Sequence, residues 1–135
     1  MQTNSGEYVR ASTDGADRLV VATAGQVYGS DDAGRTLISK QATGVIGSPQ
    51  SPVMIRELAI SPLDPDLIFA ATGSWRQETL VKGGHGVLRS DDGGHTWREF
   101  SNGLSDLDIS ALAFAPDGHS LFALTPQSGA YRIRL

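Results

Sequence analysis

The sequence predicts an all-β protein made of β-propeller blades, each a four-stranded antiparallel sheet, with about three blades in an incomplete propeller. A short apolar run with similar residue types recurs at 19–25, 67–73 and 121–126, which gives a repeat period of about 50 residues. Turn-forming residues separate these runs, and no stretch shows the sustained apolar period of a helix. A β-sandwich would also have many short strands, but it would not repeat the same four-strand unit.

The first two strands of each unit, A and B, are joined by tight turns. Strand A is expected at residues 8–13, 55–61 and 109–115, and strand B is the recurring apolar run that follows it. The connections contain Asp-Gly in the first and third units and Pro-Leu-Asp-Pro in the second. Such residues favour hairpins, because glycine adopts a positive φ without steric cost and proline fixes φ at a turn position.

Strands C and D complete the unit. In the first two units strand C leads through an eight-residue turn, at 30–37 or 90–97, into a short strand D. The third unit stops after strand C, at Leu135, so it lacks its outer strand. The sequence therefore divides into three predicted blades, at about residues 7–40, 54–101 and 108–135.

Both eight-residue turns follow the pattern Ser-x-Asp-x-Gly-x-Thr, and the second continues with the Trp that completes it. The matching residues are Ser30, Asp32, Gly34 and Thr36 in the first turn, and Ser90, Asp92, Gly94, Thr96 and Trp97 in the second. With this motif at the same place in two repeats, the chain resembles the BNR or Asp-box propellers over nearly its whole length. That family includes sialidases, xyloglucan-degrading hydrolases, sortilin-type receptors and photosystem II assembly factors. The first turn departs from the family pattern at Leu37, which stands where the pattern has Trp.

The chemistry of this motif is local. A carboxylate and a hydroxyl two residues apart can bond backbone groups of their own turn, and the ring of Trp97 can bury a large area between sheets. The resemblance implies the same structural role, on the face away from the catalytic site of the family's enzymes. We therefore interpret Asp32 and Asp92 as structural residues, with an acid or a metal ligand as the alternative.

The resemblance implies catalytic groups only for the enzymes of the family. Its sialidases use an arginine triad, a tyrosine nucleophile with a glutamate partner and an aspartate acid, and its xyloglucan-degrading members use two aspartates. No arginine here lies in a motif that maps onto the triad. Asp106 and Asp108 lie in a D–A connection, where a hydrolase carboxylate would lie, but their spacing fits a turn cap better. Glu57 in strand A is a candidate channel-facing residue, and His95 is expected to be a solvent-exposed turn residue, so we predict no catalytic, cofactor-binding or metal-binding residues.

The long connections between strands, B–C and D–A, are expected on one face of the propeller. One of them, residues 74–84, reads as an inserted loop and contains Trp75, Arg76 and Lys82. Loops on a rigid frame commonly recognise partners, and Trp and Arg are enriched at binding hot spots. We predict that this loop binds a protein or a glycan; in the alternative interpretation, Trp75 folds back over apolar strand ends.

Composition excludes other partners. The chain has 135 residues with 11 basic and 15 acidic side chains, so it lacks the basic excess of a nucleic-acid-binding protein. Its longest apolar run, residues 67–71, is far below the roughly 18 residues of a membrane span, and residues 1–6 do not resemble a signal peptide. No cysteine is present, which leaves the compartment unassigned.

Three blades are too few to close a ring, since propellers have roughly four to eight. The open ends would expose apolar faces that monomers seldom tolerate. We therefore expect either a homo-oligomer, namely a dimer that closes a six-bladed ring, or a chain that forms part of a larger propeller. The predicted function is a non-enzymatic binding or assembly module. The alternative is a fragment of a BNR-type glycoside hydrolase, xyloglucanase-like or sialidase-like, whose active site needs further blades.

Overall fold

The structure, a computed structural model, describes residues 10–13, 17–23, 26–44, 53–77 and 80–135. The described residues form strands joined by turns, and they include no helix long and apolar enough to cross a membrane. In chain order the strands are β1 (Arg10–Thr13), β2 (Leu19–Thr23), β3 (Gln26–Ser30), β4 (Ile38–Ser39), β5 (Thr43–Gly44), β6 (Met54–Ile60), β7 (Ile68–Gln77), β8 (Leu80–Gly83), β9 (Val87–Ser90), β10 (Thr96–Glu99), β11 (Ala111–Phe114), β12 (Ser120–Thr125) and β13 (Gly129–Arg134).

These strands form three consecutive sheets in which each main strand pairs antiparallel with its neighbours. The first sheet has the order β1-β2-β3-β4, the second contains β6-β7-β9-β10 and the third is β11-β12-β13. The third sheet has no fourth strand among the described residues, whereas the first two have one. The predicted fold class is confirmed: the described chain is all-β and forms a partial propeller of antiparallel blades.

Two hydrophobic cores lie between the sheets and hold them together. The first core joins residues of the first and second sheets, among them Val20, Ala22, Val27, Ile68, Ala70, Leu88 and Trp97. The second joins the second and third sheets, with Phe69, Ala71, Val87, Ile109, Leu112, Leu121 and Ala123 buried in it. Because side chains alternate across a strand, β7 supplies Ile68 and Ala70 to one core and Phe69 and Ala71 to the other. The first and second sheets therefore each turn one face towards the next sheet in the chain. We call this face, and the equivalent face of the third sheet, the forward face.

Strand pairing corrects the alignment of the repeats by one residue. Leu19 pairs with Ser30 in the first sheet, and Ile68 pairs with Ser90 in the second, so Leu19 corresponds to Ile68 and not to Leu67. A shift of one residue moves every side chain of a strand to the opposite face. Equivalent residues of two sheets are therefore identified by the residues they pair with, and not by similarity of the local sequence. On this register the counterpart of Phe69 in the third sheet is Phe122.

The segment at 74–84, expected to be a loop, is mainly a β-hairpin. Strand β7 continues past the sheet, and its residues from Ser74 to Gln77 pair antiparallel with β8, from Gly83 back to Leu80. This pairing, in which the two stretches bond to each other instead of leaving their backbone groups unpaired, was not predicted from the sequence. The two residues between the strands, 78–79, lie outside the described structure.

The connection after the first sheet adds a strand to the second. Strand β5 pairs in parallel with β10, and the Thr43 N–H donates to the His95 carbonyl over 2.8 Å. The His95 side chain is exposed, as expected, but its Nδ1 lies 2.8 Å from the carbonyl oxygen of Lys40. The turn of the second sheet is therefore tied to the chain that leaves the first.

Candidate functional site

The turn after β3 is organised by its serine and aspartate. The Ser30 hydroxyl donates to Asp32 Oδ1 over 2.7 Å and accepts the Gly34 N–H at 2.9 Å. The Thr36 hydroxyl donates to Asp32 Oδ2 over 2.6 Å, and its backbone N–H donates to Oδ1 over 2.9 Å. These hydrogen bonds, from the Thr36 side chain and backbone and then from Ser30, lower the pKa of Asp32 to about 2.

The turn after β9 repeats this geometry. Asp92 accepts from the Ser90 hydroxyl at 2.8 Å, the Thr96 hydroxyl at 2.6 Å and the Thr96 N–H at 2.9 Å. Burial raises the pKa of the Asp92 carboxyl, but the hydrogen bonds from Thr96, Ser90 and the His95 N–H outweigh it and hold that pKa at about 2. The Trp97 indole donates to the Gly94 carbonyl over 2.9 Å, and its ring is 3% exposed in the first core.

Both turns lie at the same end of the sheets and contact the A–B turns there. The Gly93 N–H donates to the Asp66 carbonyl over 2.9 Å, and Arg18 pairs with Asp66 at 3.1 Å and with Asp31 at 3.4 Å. Arg18 follows β1 and Asp66 precedes β7, so this pair bridges the first two sheets. The two turns are thus tied to the A–B turns through Asp31 and the Gly93 backbone, while Asp32 and Asp92 bond within their own turns.

The opposite end of the sheets carries the B–C and D–A connections, which we call the loop face. Thr72, buried at the centre of this end, donates its hydroxyl to the Gly86 carbonyl over 2.7 Å and accepts the Ile109 N–H at its own carbonyl, at 2.9 Å. The Gly86 N–H donates to the Leu107 carbonyl over 2.9 Å. The connection that leads into the third sheet is therefore fixed by backbone hydrogen bonds to the second.

The candidate carboxylates near the loop face are bonded to the frame. Glu57, the candidate channel-facing residue, accepts the Leu112 N–H at 3.0 Å and so joins β6 to β11. Asp106 accepts the N–H of Asp108 at 2.9 Å, as a turn cap does, and also the Ser128 hydroxyl at 3.0 Å. The Asp108 carboxylate lies 3.9 Å from the Arg56 guanidinium. Within the described ranges no group of three His, Asp or Glu side chains is arranged to hold a metal ion.

The predicted binding residues lie on the β7–β8 hairpin. Trp75 pairs with Lys82 in the ladder, and Arg76 pairs with Val81. The side chains of Trp75, Arg76 and Lys82 lie outside the described structure. The structure thus brings the three residues onto one short hairpin, and their role in binding stays a prediction.

The forward face of the third sheet was not singled out from the sequence. Phe122 and Leu124 on this face are 37% and 49% exposed, whereas their counterparts Phe69 and Ala71 on the second sheet are 0% exposed. Phe122 pairs with Arg132 just as Phe69 pairs with Arg89, so an alignment of strands B and C together would have found the face. The forward face is therefore covered in the second sheet and exposed in the third.

Comparison with known proteins supports the fold. No protein-family model matches the chain, and no curated protein does. Among solved structures, an ancestral GH74 enzyme is 15% identical with a TM-score of 0.65, and a GH74 enzyme of Niastella koreensis is 19% identical with a TM-score of 0.60. YCF48 from Cyanidioschyzon merolae is 15% identical with a TM-score of 0.59. All three are β-propellers.

The alignments cover this chain almost fully and the neighbours only in part. They include 95% of this chain for each GH74 enzyme and 97% for YCF48. The chain spans 19% of the ancestral enzyme, 21% of the Niastella enzyme and 35% of YCF48. At these identities the similarity shows the fold alone, that of a part of a propeller.

Proposed function

We propose that the chain is a non-enzymatic binding or assembly module, an Asp-box propeller segment that recognises a protein or a glycan with its loop face. The observation that carries this proposal is that the candidate carboxylates form hydrogen bonds that hold strands and turns together. Glu57 bonds the backbone of β11, Asp106 caps its own turn, and Asp32 and Asp92 each accept several hydrogen bonds inside a turn. A catalytic acid would need a raised pKa, whereas the pKa values of Asp32 and Asp92 are lowered.

The loop face suits recognition because it combines a fixed base with a projecting hairpin. Hydrogen bonds through Thr72 and Gly86 fix the connection at residues 101–110 to the second sheet. The β7–β8 hairpin extends from the same end of the second sheet. A preorganised surface loses less conformational entropy on binding than a mobile loop does.

The proposal also includes assembly of the third sheet with a further blade. The forward face of the third sheet presents Phe122 and Leu124, and the counterparts of these residues in the second sheet are buried by the following blade. We infer that a further blade covers this face, supplied by a second copy in a closed ring or by a longer propeller. Related copies about a two-fold axis would satisfy both open ends at once.

The experiment compares substitutions on the β7–β8 hairpin with a substitution at the opposite end of the sheets. Trp75→Ala combined with Arg76→Ala should abolish the retention of ligands on a glycan array and in a protein pull-down. Arg35→Ala, an exposed substitution on the turn at the other end, should leave retention intact. Both variants should keep the melting temperature of the parent. Equal retention by all three proteins would overturn the assignment to the hairpin, and release of sugar from xyloglucan or sialosides would overturn the non-enzymatic function.

A second candidate function is a fragment of a BNR-type glycoside hydrolase. Two of the compared structures are GH74 enzymes, of which the chain spans about a fifth. In that case Asp106 or Asp108 would act only once further blades complete the site. Asp106→Asn and Asp108→Asn in a protein with those blades would then abolish hydrolysis, whereas the binding module predicts no hydrolysis to abolish.

A further inference from the structure

Aspartate or asparagine stands directly before glycine at residues 14–15, 92–93, 102–103 and 117–118. Such pairs are reactive, because the backbone nitrogen of the glycine can attack the side-chain carbonyl carbon of the preceding residue and close a five-membered succinimide ring. Glycine has no side chain to obstruct this attack. The peptide group between the two residues must rotate for the ring to close. Hydrogen bonds to that peptide group and to the side chain therefore decide whether the folded chain protects a pair.

The pair at 92–93 is restrained by the turn after β9. Gly93 is buried and donates its N–H to the Asp66 carbonyl over 2.9 Å. The Asp92 carboxylate accepts the hydroxyl and the N–H of Thr96 at 2.6 and 2.9 Å. Both the attacking nitrogen and the attacked carboxyl are thus held by other groups.

The pair at 117–118 is restrained in the same way. Gly118 is buried and donates its N–H to the Ala115 carbonyl over 2.9 Å. Asp117 Oδ1 accepts the His119 N–H at 3.0 Å. The pair at 14–15 lies outside the described structure.

The pair at 102–103 has none of these restraints. It forms the centre of a type II turn, in which the Leu104 N–H donates to the Ser101 carbonyl over 3.0 Å and Gly103 has a φ of +85°. Asn102 and Gly103 are both exposed, and a Cβ on Gly103 would meet nothing within 4 Å. Within the described ranges, neither the Asn102 side chain nor the peptide group between the two residues takes part in a hydrogen bond. This peptide group can therefore rotate while the turn persists.

The residues on either side of this turn are fixed to the second sheet. The Phe100 N–H donates to the Val87 carbonyl over 2.8 Å, and the Ser101 hydroxyl accepts the Val87 N–H at 3.0 Å. Leu104 packs against the second core. The reactive centre of the turn is consequently presented to solvent by the folded sheet, and its reaction needs no unfolding.

We propose that Asn102 is a modification site, at which the folded chain converts spontaneously to aspartate and isoaspartate. A base in the solvent removes the Gly103 amide proton, and the nitrogen attacks Asn102 Cγ. The new N–Cγ bond forms, the bond from Cγ to the amide nitrogen breaks, and this nitrogen takes a proton from water and leaves as ammonia. Water then opens the ring. Opening at Cγ leaves aspartate, and opening at the backbone carbonyl carbon leaves isoaspartate, whose main chain runs through the former side chain.

Isoaspartate is the substrate of methyltransferases that transfer a methyl group from S-adenosylmethionine to its free carboxylate. The modified turn would therefore bind an enzyme of this class, which supplies both a partner and a probe. The site does not depend on the function proposed for the loop face.

The test follows Asn102 in the full chain by peptide mapping with mass spectrometry, in native buffer and in guanidinium chloride at the same mildly alkaline pH. Deamidation adds one negative charge to the formal net charge of −4, so anion exchange separates the product. An isoaspartyl methyltransferase with radioactive S-adenosylmethionine should label the peptide that contains residue 102. We expect the folded chain to keep at least about a third of the rate in denaturant. A lower rate in the folded chain, or no label on this peptide, would overturn the proposal.

Asp117→Asn is the matched control, because it places the same Asn-Gly chemistry in a restrained turn. Its amide oxygen can still accept the His119 N–H, and Gly118 keeps its bond to the Ala115 carbonyl. In this variant residue 117 should convert at least about tenfold more slowly than residue 102 in native buffer, and at a similar rate in denaturant. Equal rates in native buffer would refute protection by hydrogen bonds.

Asn102→Gln tests the assignment without altering a restrained turn. Ring closure from glutamine would need six members, so the labelled peptide and the shift on anion exchange should both disappear. Label or a charge shift that persists in this variant would place the modification at another residue and refute the assignment to Asn102.

Discussion

Replacing Trp97 tests whether the second turn anchors the first two sheets to each other. Its ring is 3% exposed in the first core, and its indole N–H donates to the Gly94 carbonyl over 2.9 Å. Truncating a buried aromatic side chain costs about 3–5 kcal/mol, a large share of the roughly 5–15 kcal/mol that stabilises a domain. Trp97→Phe keeps most of the packing and loses the hydrogen bond, so it should cost about 1–2 kcal/mol.

The assay is urea denaturation followed by far-ultraviolet circular dichroism, because the substitution removes one of only two tryptophans and would disturb a fluorescence signal. Leu37→Ala is the matched control, since Leu37 is half-buried at the same position of the first turn. It should cost about 1 kcal/mol, because less area is buried there. The reasoning is refuted if Trp97→Ala destabilises the protein no more than Leu37→Ala does.

Two further predictions concern the turns and the connection after the first sheet. The pKa of Asp92 is about 2 in the folded chain against 3.8 ordinarily, so its stabilisation is complete above about pH 4 and disappears as the pH falls through 2. Asp92→Asn should therefore lower the melting temperature at pH 6 and flatten its decline between pH 4 and 2, whereas an unchanged decline would contradict the assignment. Gly44 has a φ of +87°, and a Cβ there would overlap the Trp97 carbonyl oxygen. Gly44→Ala should cost about 1–3 kcal/mol by urea denaturation, and a neutral substitution would show that β5 does not pair with β10.

The parts of the fold that depend on local chemistry could be predicted from the sequence. The A–B turns follow from their Gly, Pro and Asp residues, and the equal hydrogen-bond patterns around Asp32 and Asp92 follow from the shared spacing of Ser, Asp and Thr. Strands B and C could be placed from their apolar runs. The three strands that the third sheet has among the described residues match the three predicted there.

The parts of the fold that depend on pairing between distant segments could not be predicted from the sequence. Glu57 bonds to Leu112, 55 residues away, and His95 contacts Lys40 at the same separation, so nothing near either residue indicates its partner. The hairpin of β7 and β8 required knowing that two stretches bond to each other rather than to a neighbouring sheet. The one-residue shift between Leu19 and its counterpart became visible only through the strand that each residue pairs with.

The forward face of the third sheet gives the account its most direct test. Phe122 and Leu124 are 37% and 49% exposed where the same positions of the second sheet are covered by the next blade. Size-exclusion chromatography with multi-angle light scattering should therefore find the 14.3 kDa chain as a dimer or larger assembly. Phe122→Glu should shift it towards the monomer, because a carboxylate in that interface would lose its hydration. A stable species of 14.3 kDa for the unaltered chain at every concentration would contradict the account.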